Sequence, residues 1–419
     1  DVREQVVVTG MGVLTPIGSG AAAFAQGLRE GRDGVAPIQG FEAGRHRVRV
    51  AAELRGFAPE RLLSEEERAL SSRATQMTRV AAAEALLDAG LDLEQEDRAR
   101  IGVILGTDLG GMPAASAGYE ALHHPYRRRG PGALRAWKTL LLDSFICSVA
   151  DQLALHHQLY GTTLVVSTAC SAGIHALGIG ADAIRRGDAE VMLVGGVDPL
   201  SEMPQAGFGV LRSLASDGIR PFDRERDGTV LGEAAAVLVL ESAAHARRRG
   251  ARIHAEVAGY GSSTDAYHMT RPDDTGRGPA RAMAMALADA GIAPDEIGYV
   301  KAHGTATPAN DVIETRALKL VFGAGTQVPV SSVKSMIGHS LGASGAVEAV
   351  AAILALEGQF LPPTLHLEHP DPECDLDYVP CASRAHAFES VLANAFGFGG
   401  NNASMVFRRA TAQESRPCA

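Results

Sequence analysis

Apolar residues along this chain fall into short β-branched runs separated by longer Ala- and Leu-rich stretches. Gln5 to Gly12 (QVVVTGMG), Ile101 to Gly106 (IGVILG), Thr163 to Ser167, Glu190 to Gly196 (EVMLVGG), Ala234 to Leu240 and Ile253 to Gly259 are too short and too continuous for amphipathic helices, so they predict buried strands. Between them, residues 62 to 90 and Asp143 to Gln158 carry a helical period, and Pro16-Ile17-Gly18-Ser19-Gly20 leads into a helix through Leu28. Strand, helix and strand in succession predict crossover connections and parallel strands covered on both faces. Residues 33 to 60 and the small-residue stretch Asp108 to Gly118 predict loops.

The second half repeats the plan. A helix is predicted from Pro279 to Ala290, strands at Tyr299 to Ala302 and Val328 to Ser331, and a helix from Leu341 to Leu356. Pro362-Pro363 breaks the pattern, and two late strands, Val391 to Phe396 and Ala403 to Phe407, flank the glycine loop Gly397 to Asn402. Ala343-Ser344-Gly345-Ala346-Val347 echoes Ser171-Ala172-Gly173-Ile174, but small-residue helices resemble one another by chance, so the echo carries little weight alone. A chain of 419 residues exceeds the size of one ordinary core and predicts two domains or two pseudo-duplicated halves.

With 46% hydrophobic residues, 47 glycines and 5% aromatics, the composition is that of a closely packed α/β enzyme. The net charge, 39 − 49 = −10, argues against nucleic-acid binding and leaves room for a local basic patch that receives an acidic partner. The five cysteines are widely spread, without CxxC pairs or Cys/His zinc spacing, so neither a disulfide framework nor a metal site is expected, and a reducing cytoplasm fits best. No signal region is read at the start of the chain. The most apolar stretch, Leu341 to Leu356, is interrupted by Glu348 and is short for a membrane span, so a soluble protein is expected.

The candidate chemistry sits at strand ends. Val165 to Ala176 (VVSTACSAGIHA) reads as strand, tight turn and first helical turn, with Cys170 at the junction. A thiol at a helix N-terminus feels the positive end of the macrodipole, which favours the thiolate; the alternative is a small buried hydrophobe. His303 stands in KAHGTATP, and Lys334 and His339 in SSVKSMIGHS. A lone histidine is more often structural, yet a helix N-terminus lowers histidine basicity and suits a neutral, donating imidazole. Together these residues make a nucleophile, two neutral donors and a cation. The Gly397 to Gly400 loop and the Cys170 amide are candidates for the N–H groups that would hold an oxyanion. No GxSxG elbow, P-loop or GxGxxG after a first strand competes.

Seven ordered motifs carry a resemblance over nearly the whole chain: VVVTGMGVLTPIG, STACSAG, RPFDRERDGTVLGEAA, AYHMT, HGTATP, VKSMIGHSLGASG and NAFGFGGNN. The chain resembles the condensing enzymes of the thiolase superfamily, of the β-ketoacyl-[acyl carrier protein] synthase II type. The resemblance implies an α/β, thiolase-like five-layered αβαβα core, with an N-terminal half (1–258) carrying the nucleophile, a C-terminal half (259–412) carrying the His/Lys/His residues, and a tail (413–419). It implies Cys170 as acyl-accepting nucleophile and His303 and His339 as donors to the malonyl thioester carbonyl. Lys334 orders the site, Glu348 is its buried neighbour, and the Cys170 and Phe398 amides form the oxyanion hole. Phe398 also gates the acyl pocket, and Thr305 and Thr307 bind the pantetheine arm.

The enzyme itself is expected to bind no metal or cofactor, phosphopantetheine being carried by the acyl carrier protein substrate. That acidic partner needs a basic rim, for which Arg127, Arg128, Arg129 and Arg212 are candidates, with Arg45 and Arg47 behind them. A homodimer, or a heterodimer with a ketosynthase-like subunit, is implied. Where the family often has GGTN this chain has Gly399-Gly400-Asn401-Asn402, and FVP appears as Phe145-Ile146-Cys147, departures that bear on the Phe398 loop and on pocket length. The expected function is chain elongation in fatty-acid or type II polyketide or polyene synthesis. The alternative, a non-catalytic chain-length-factor-like partner, predicts loss of the nucleophile, and a thiolase lacks the two-histidine-plus-lysine set.

Overall fold

The computed structural model describes residues 4–116 and 141–410. Arg127, Arg128 and Arg129 and the tail 413–419 lie outside the described residues. The strands of the main sheet are β1 (Val6–Thr15), β2 (Ile101–Gly106), β3 (Thr163–Val166), β4 (Val191–Asp198), β5 (Ala234–Ser242), β6 (Ala255–Thr264), β7 (Tyr299–Lys301), β8 (Val330–Ser331), β9 (Ser390–Gly397) and β10 (Asn401–Arg409). Their spatial order is β8-β7-β9-β10-β6-β1-β5-β4-β2-β3.

This order is one pattern used twice. In β1–β5 and again in β6–β10, the first strand pairs antiparallel with the fifth and the fifth antiparallel with the fourth. The fourth then runs parallel to the second, and the second parallel to the third. The two sets meet through only two residue pairs, Val7 with Glu256 and Val8 with Ala255. The parallel arrangement expected from the strand–helix–strand pattern therefore holds among the second, third and fourth strands of each set and fails at the fifth, which runs antiparallel to both its neighbours. The reason is visible at β9 and β10, whose three-residue link Phe398–Gly400 is far too short for a crossover.

The helices that matter here are α1 (Ala21–Glu30), α2 (Arg73–Ala89), α3 (Ser148–His157), α4 (Ala172–Arg185), α5 (Glu202–Val210), α6 (Arg277–Ala290), α7 (Pro308–Phe322) and α8 (Ser344–Gly358). Helices α2 and α3 close one outer core against β2, β4 and β5. Helices α6 and α7 close the other against β7, β9 and β10. Between the two sets of strands lie α4 and α8, whose apolar residues fill the central core. The result is five layers, helix–sheet–helix–sheet–helix.

Close backbone packing explains the glycine-rich composition. A Cβ on Gly173 would lie 2.4 Å from the Ala346 nitrogen, and one on Gly345 2.6 Å from the Ile174 nitrogen, so α4 and α8 cross backbone to backbone. The faint echo between these two segments is thus structural equivalence. A second echo, GMG in β1 and GYG in β6, escaped the sequence reading. Gly12 and Gly261 lie under the Ala81 and Ala282 carbonyls of α2 and α6. The residue between each glycine pair donates its N–H to an aspartate of the covering helix, Met11 to Asp88 and Tyr260 to Asp289, both at 2.9 Å.

The helix Leu341–Gly358 is long and apolar enough to cross a bilayer by length and composition, but 89% of it is buried inside the fold. It is the central core helix.

Candidate active site

The site lies at the C-terminal ends of the parallel strands, where α/β folds place ligands, and both halves contribute at equivalent points. After β2 come Thr107 and Asp108, and after β3 comes Cys170; after β7 comes His303, and after β8 come Lys334 and His339. The two central helices begin here, α4 just after Cys170 and α8 just after His339. Cys170 Sγ and one ring nitrogen of each histidine lie within 4.8 Å of one another. The imidazoles are perpendicular, with ring centroids 5.6 Å apart.

Each residue is held by its neighbours. Ala169 adopts φ 52°, a left-handed turn that lifts Cys170 from strand to helix. His303 and Gly304 give their N–H groups to the two oxygens of Glu314, each at 2.8 Å, which fixes the HGTATP loop on α7. Asp311, on the same helix, accepts N–H groups from Ala306 (3.2 Å) and Phe222 (2.7 Å), tying that loop to the RPFDRERDG segment. His339 donates its backbone N–H to Val230 at 2.7 Å.

The hydrogen bonds also fix the tautomers. Lys334 Nζ lies 3.2 Å from His303 Nδ1 and donates to the His303 carbonyl at 2.8 Å; an ammonium has only donors, so Nδ1 accepts and the proton sits on Nε2. The Leu341 N–H donates to His339 Nδ1 at 3.1 Å, which again puts the proton on Nε2. Burial lowers the basicity of both rings well below the usual histidine value, and the Lys334 cation lowers it further. The expectation of neutral, donating imidazoles thus has its geometry. Lys334 also pairs with Glu348, which is 1% exposed.

Cys170 departs from expectation. Burial pushes its thiol well above the ordinary value, and the nearby Asp108 carboxylate pushes it higher; the Lys334 charge and the N–H groups of Phe398 and Cys170 itself only partly offset this. A helix N-terminus is not enough to make a thiolate in a dry site. Asp108 is itself pushed up to about 8, by burial and by Asp198. Asp198 is fully buried and accepts from Thr107, Asp108, Leu109 and Gly342, and stands at about 6.

A cavity of about 250 Å³ opens from Cys170, His303 and His339 past Thr305, Thr307 and Phe398 to Arg212 and Arg271. Thr305 and Thr307 share a hydroxyl hydrogen bond of 2.8 Å. Phe398 stacks on Phe208 of α5 at 5.6 Å, and Phe208 in turn meets the His339 ring edge-on. A Cβ on Gly397 would lie 2.8 Å from the Thr168 carbonyl, so the glycine loop runs directly beside the cysteine turn. Of the basic candidates, Arg212 lies exposed at the mouth of this cavity, and Arg47 lines a small neighbouring hollow with it.

Of the residues the sequence singles out, the fold brings Cys170, His303, His339, Thr305, Thr307 and Phe398 around one cavity, with Lys334 and Glu348 buried behind His303. Sequence reading missed Phe208, Asp108, Asp198, Glu314 and Lys301. Lys301 had a signal: a lysine closing a strand whose other residues are apolar. Cys170 with its two histidines has the spacing of a metal site, but the Lys334 ammonium beside it opposes a cation. Among the described residues one other such group occurs, Asp223, Glu225 and His369, where Asp223 is already occupied by backbone N–H groups.

Comparison with known proteins agrees with this geometry. Residues 3–246 match the model of the β-ketoacyl synthase N-terminal domain and residues 254–368 that of the β-ketoacyl synthase C-terminal domain. The chain is 40% identical over 417 residues to 3-oxoacyl-[acyl-carrier-protein] synthase 2 of Vibrio cholerae, covering 97% of this chain and 99% of that protein. The protein of the same name from Coxiella burnetii is 39% identical over 415 residues, with the same coverage. Among solved structures, the ishigamide ketosynthase/chain length factor superposes with a TM-score of 0.92 at 36% identity, covering 98% of this chain and 100% of that one. A β-ketoacyl synthase from Burkholderia phymatum gives 0.88 at 35% identity, covering 97% and 100%. With both family models matched and a cysteine, two Nε2-protonated histidines and a lysine at the strand ends, the chain belongs to the β-ketoacyl synthase family.

Proposed function

We propose that the protein is a 3-oxoacyl-[acyl carrier protein] synthase, an acyltransferase that joins an acyl thioester to malonyl-[acyl carrier protein] with loss of carbon dioxide. The observation that carries this reading is that each Nδ1 faces a group that can only donate, the Lys334 ammonium for His303 and the Leu341 N–H, beside the Ser344 hydroxyl, for His339, so both rings carry their proton on Nε2 and line the cavity of Cys170. Presence of the nucleophile, both histidines and the lysine speaks against a non-catalytic chain-length-factor role.

In the first half-reaction Cys170 Sγ attacks the acyl thioester carbonyl. The oxyanion is held by the Cys170 and Phe398 N–H groups, and collapse expels the pantetheine thiol, which takes up the cysteine proton. A neutral resting thiol suits this step because the proton travels to the leaving sulfur. In the second half-reaction the malonyl thioester carbonyl accepts from His303 and His339. As the carboxylate departs as carbon dioxide, its electron pair enters the enolate, and the two donors bind the growing charge more tightly than the neutral carbonyl. The carbanion then attacks the acyl-Cys170 carbonyl, and the C–S bond breaks to give the 3-oxoacyl product and the Cys170 thiolate, which takes a proton from solvent to restore the resting thiol. Phe398, braced on Phe208, screens the acyl thioester from water.

The chain binds no cofactor of its own in this reading; Thr305 and Thr307 line the route of the carrier's pantetheine arm. Arg212, with Arg45 and Arg47 behind it, is the candidate basic rim for the acidic carrier; Arg127, Arg128 and Arg129 stay candidates on the sequence alone. The partner subunit, identical or a ketosynthase-like relative, pairs along β3, an edge strand beside exposed Leu155, Tyr160 and Leu164. We place the division between the halves in the loop before β6 (Ala255–Thr264), a few residues ahead of the 258/259 boundary expected from the sequence, which falls inside that strand. The described cysteines are all free, which suits the cytoplasm.

The half-reactions separate the roles. Cys170→Ala abolishes acyl-enzyme formation, read by intact mass. His303→Ala and His339→Ala each lower malonyl-carrier decarboxylation by about 100-fold or more while acyl transfer to Cys170 persists. Decarboxylation at the wild-type rate in both histidine variants overturns the assignment.

A further inference from the structure

The cation under the site is not alone. Lys301, the last residue of β7, is fully buried, and its Nζ donates to the Ala302 carbonyl at 2.7 Å and pairs with Glu348 Oε2. The other oxygen of the same carboxylate pairs with Lys334. Two buried ammonium groups thus share one carboxylate: Lys301, two residues before His303 in the chain, and Lys334, 3.2 Å from Nδ1 of the His303 ring.

At ion-pair distance the cluster holds two cations and one carboxylate. From α7, Glu314 faces it, with both oxygens accepting backbone N–H groups and with burial raising its pKa; Asp311, on the same helix, has Arg226 at 3.8 Å. From α8 comes Glu348, and from the turn after β8 comes Lys334. From β9 the neighbour is the Asn394 carbonyl, 3.5 Å from Nζ, which carries no formal charge. His303 and His339 stand on the cavity side, and Tyr299 lies on β7 itself, donating to or accepting from Ser331.

Burying two cations on one carboxylate costs stability, so the arrangement calls for a gain elsewhere. Resting on the condensing reading above, we infer that Lys301 is a positioning residue that divides the Glu348 charge with Lys334 and so leaves a surplus positive charge behind His303 and His339, where the reaction builds an enolate and an oxyanion. Both lysines lie among the causes that hold the two imidazoles neutral. Burial and the neighbouring Lys334 bring Lys301 down to about 8 against the pull of Glu348. The surplus charge is present below that pH and is lost above it, when a neutral Lys301 leaves Glu348 to cancel Lys334 alone.

The test uses Lys301→Met and Lys301→Gln in the full-length protein, the second keeping a hydrogen-bond donor for Glu348 without the charge. Malonyl-carrier decarboxylation in both variants falls roughly tenfold, the effect of one unit charge removed from about 10 Å at an effective dielectric constant of about 20. The alkaline fall near pH 8 in the wild-type rate disappears in both. The melting temperature of Lys301→Gln does not fall, because the Lys334–Glu348 pair is left balanced and the amide still donates to Glu348. Alkylation of Cys170 by iodoacetamide, which needs no substrate, slows in parallel because its thiolate loses the same support. If the wild type alkylates faster than the variants but decarboxylates nothing, the condensing reading fails while the charge assignment stands. Variants with the wild-type decarboxylation rate and pH profile overturn the inference, as does a Lys301→Gln variant that keeps the alkaline limb, or a loss of rate that merely tracks a lowered melting temperature.

Discussion

Replacing Asp108 by asparagine changes the reactivity of Cys170 in a way that depends on pH. Asp108 Oδ1 is buried without a hydrogen-bond partner, and burial together with Asp198 pushes the carboxyl up to about 8. The carboxyl is therefore held largely protonated at neutral pH and ionises as the pH rises into the alkaline range. A unit charge at about 10 Å and an effective dielectric constant of about 20 is worth about 1.7 kcal/mol, about one unit of thiol pKa. Asp108→Asn removes that charge, so the thiol pKa falls at alkaline pH and the thiolate fraction rises. Because a less basic thiolate is also a weaker nucleophile, the net gain is about three- to tenfold in alkylation rate near pH 9, shrinking toward none at pH 6. The assay is iodoacetamide labelling followed by peptide mass spectrometry, since Cys147 and Cys381 are also exposed and free. A variant-to-wild-type ratio that is flat from pH 6 to 9.5, or a slower variant, refutes the reasoning.

Two further predictions concern the scaffold. Gly345→Ala places a Cβ 2.6 Å from the Ile174 nitrogen and 2.9 Å from its Cγ1, so α8 must move off α4; a loss of about 3 kcal/mol or more is expected in denaturant titration, with condensation falling further than the folded fraction, because both helices start at the site. His254 is clamped by Asp88 and Glu357, each at 2.9 Å, and these carboxylates outweigh its burial and raise it to about 9. Set against about 6.5 unfolded, that is about 3 kcal/mol, fully present below pH 6.5 and lost as pH rises through 9. Melting temperatures of wild type and His254→Gln should therefore differ most below pH 6.5 and converge toward pH 10; a constant gap sinks this account.

Much of the site was legible because the chemistry sits in local motifs. STACSAG, HGTATP and VKSMIGHS each place a reactive residue just past a β-branched run, and the ends of strands are where side chains of an α/β fold leave the core. The repeat was half legible: the echo around Gly173 and Gly345 was visible but too degenerate to weigh, and GMG against GYG went unread. The antiparallel course of the fifth strand of each half was not legible from the crossover pattern, which speaks only for strands joined by helices. Phe208 escaped because its segment, EMPQAGFGV, carries no period that points it toward Phe398.

What the sequence determined by itself was the inventory: a cysteine, two histidines and a lysine at strand ends, glycines where backbones must touch, and two halves of one plan. Tertiary structure decided the state of those groups. Which imidazole nitrogen carries the proton depends on Lys334 and on the Leu341 N–H, and whether the thiol is ionised depends on burial and on Asp108, which follows a different strand. That Glu348 serves two lysines rather than one follows from α8 lying beneath both β7 and the turn after β8. Charge and proton position are set by distance through a medium of low dielectric constant, and those distances exist only after the chain has folded.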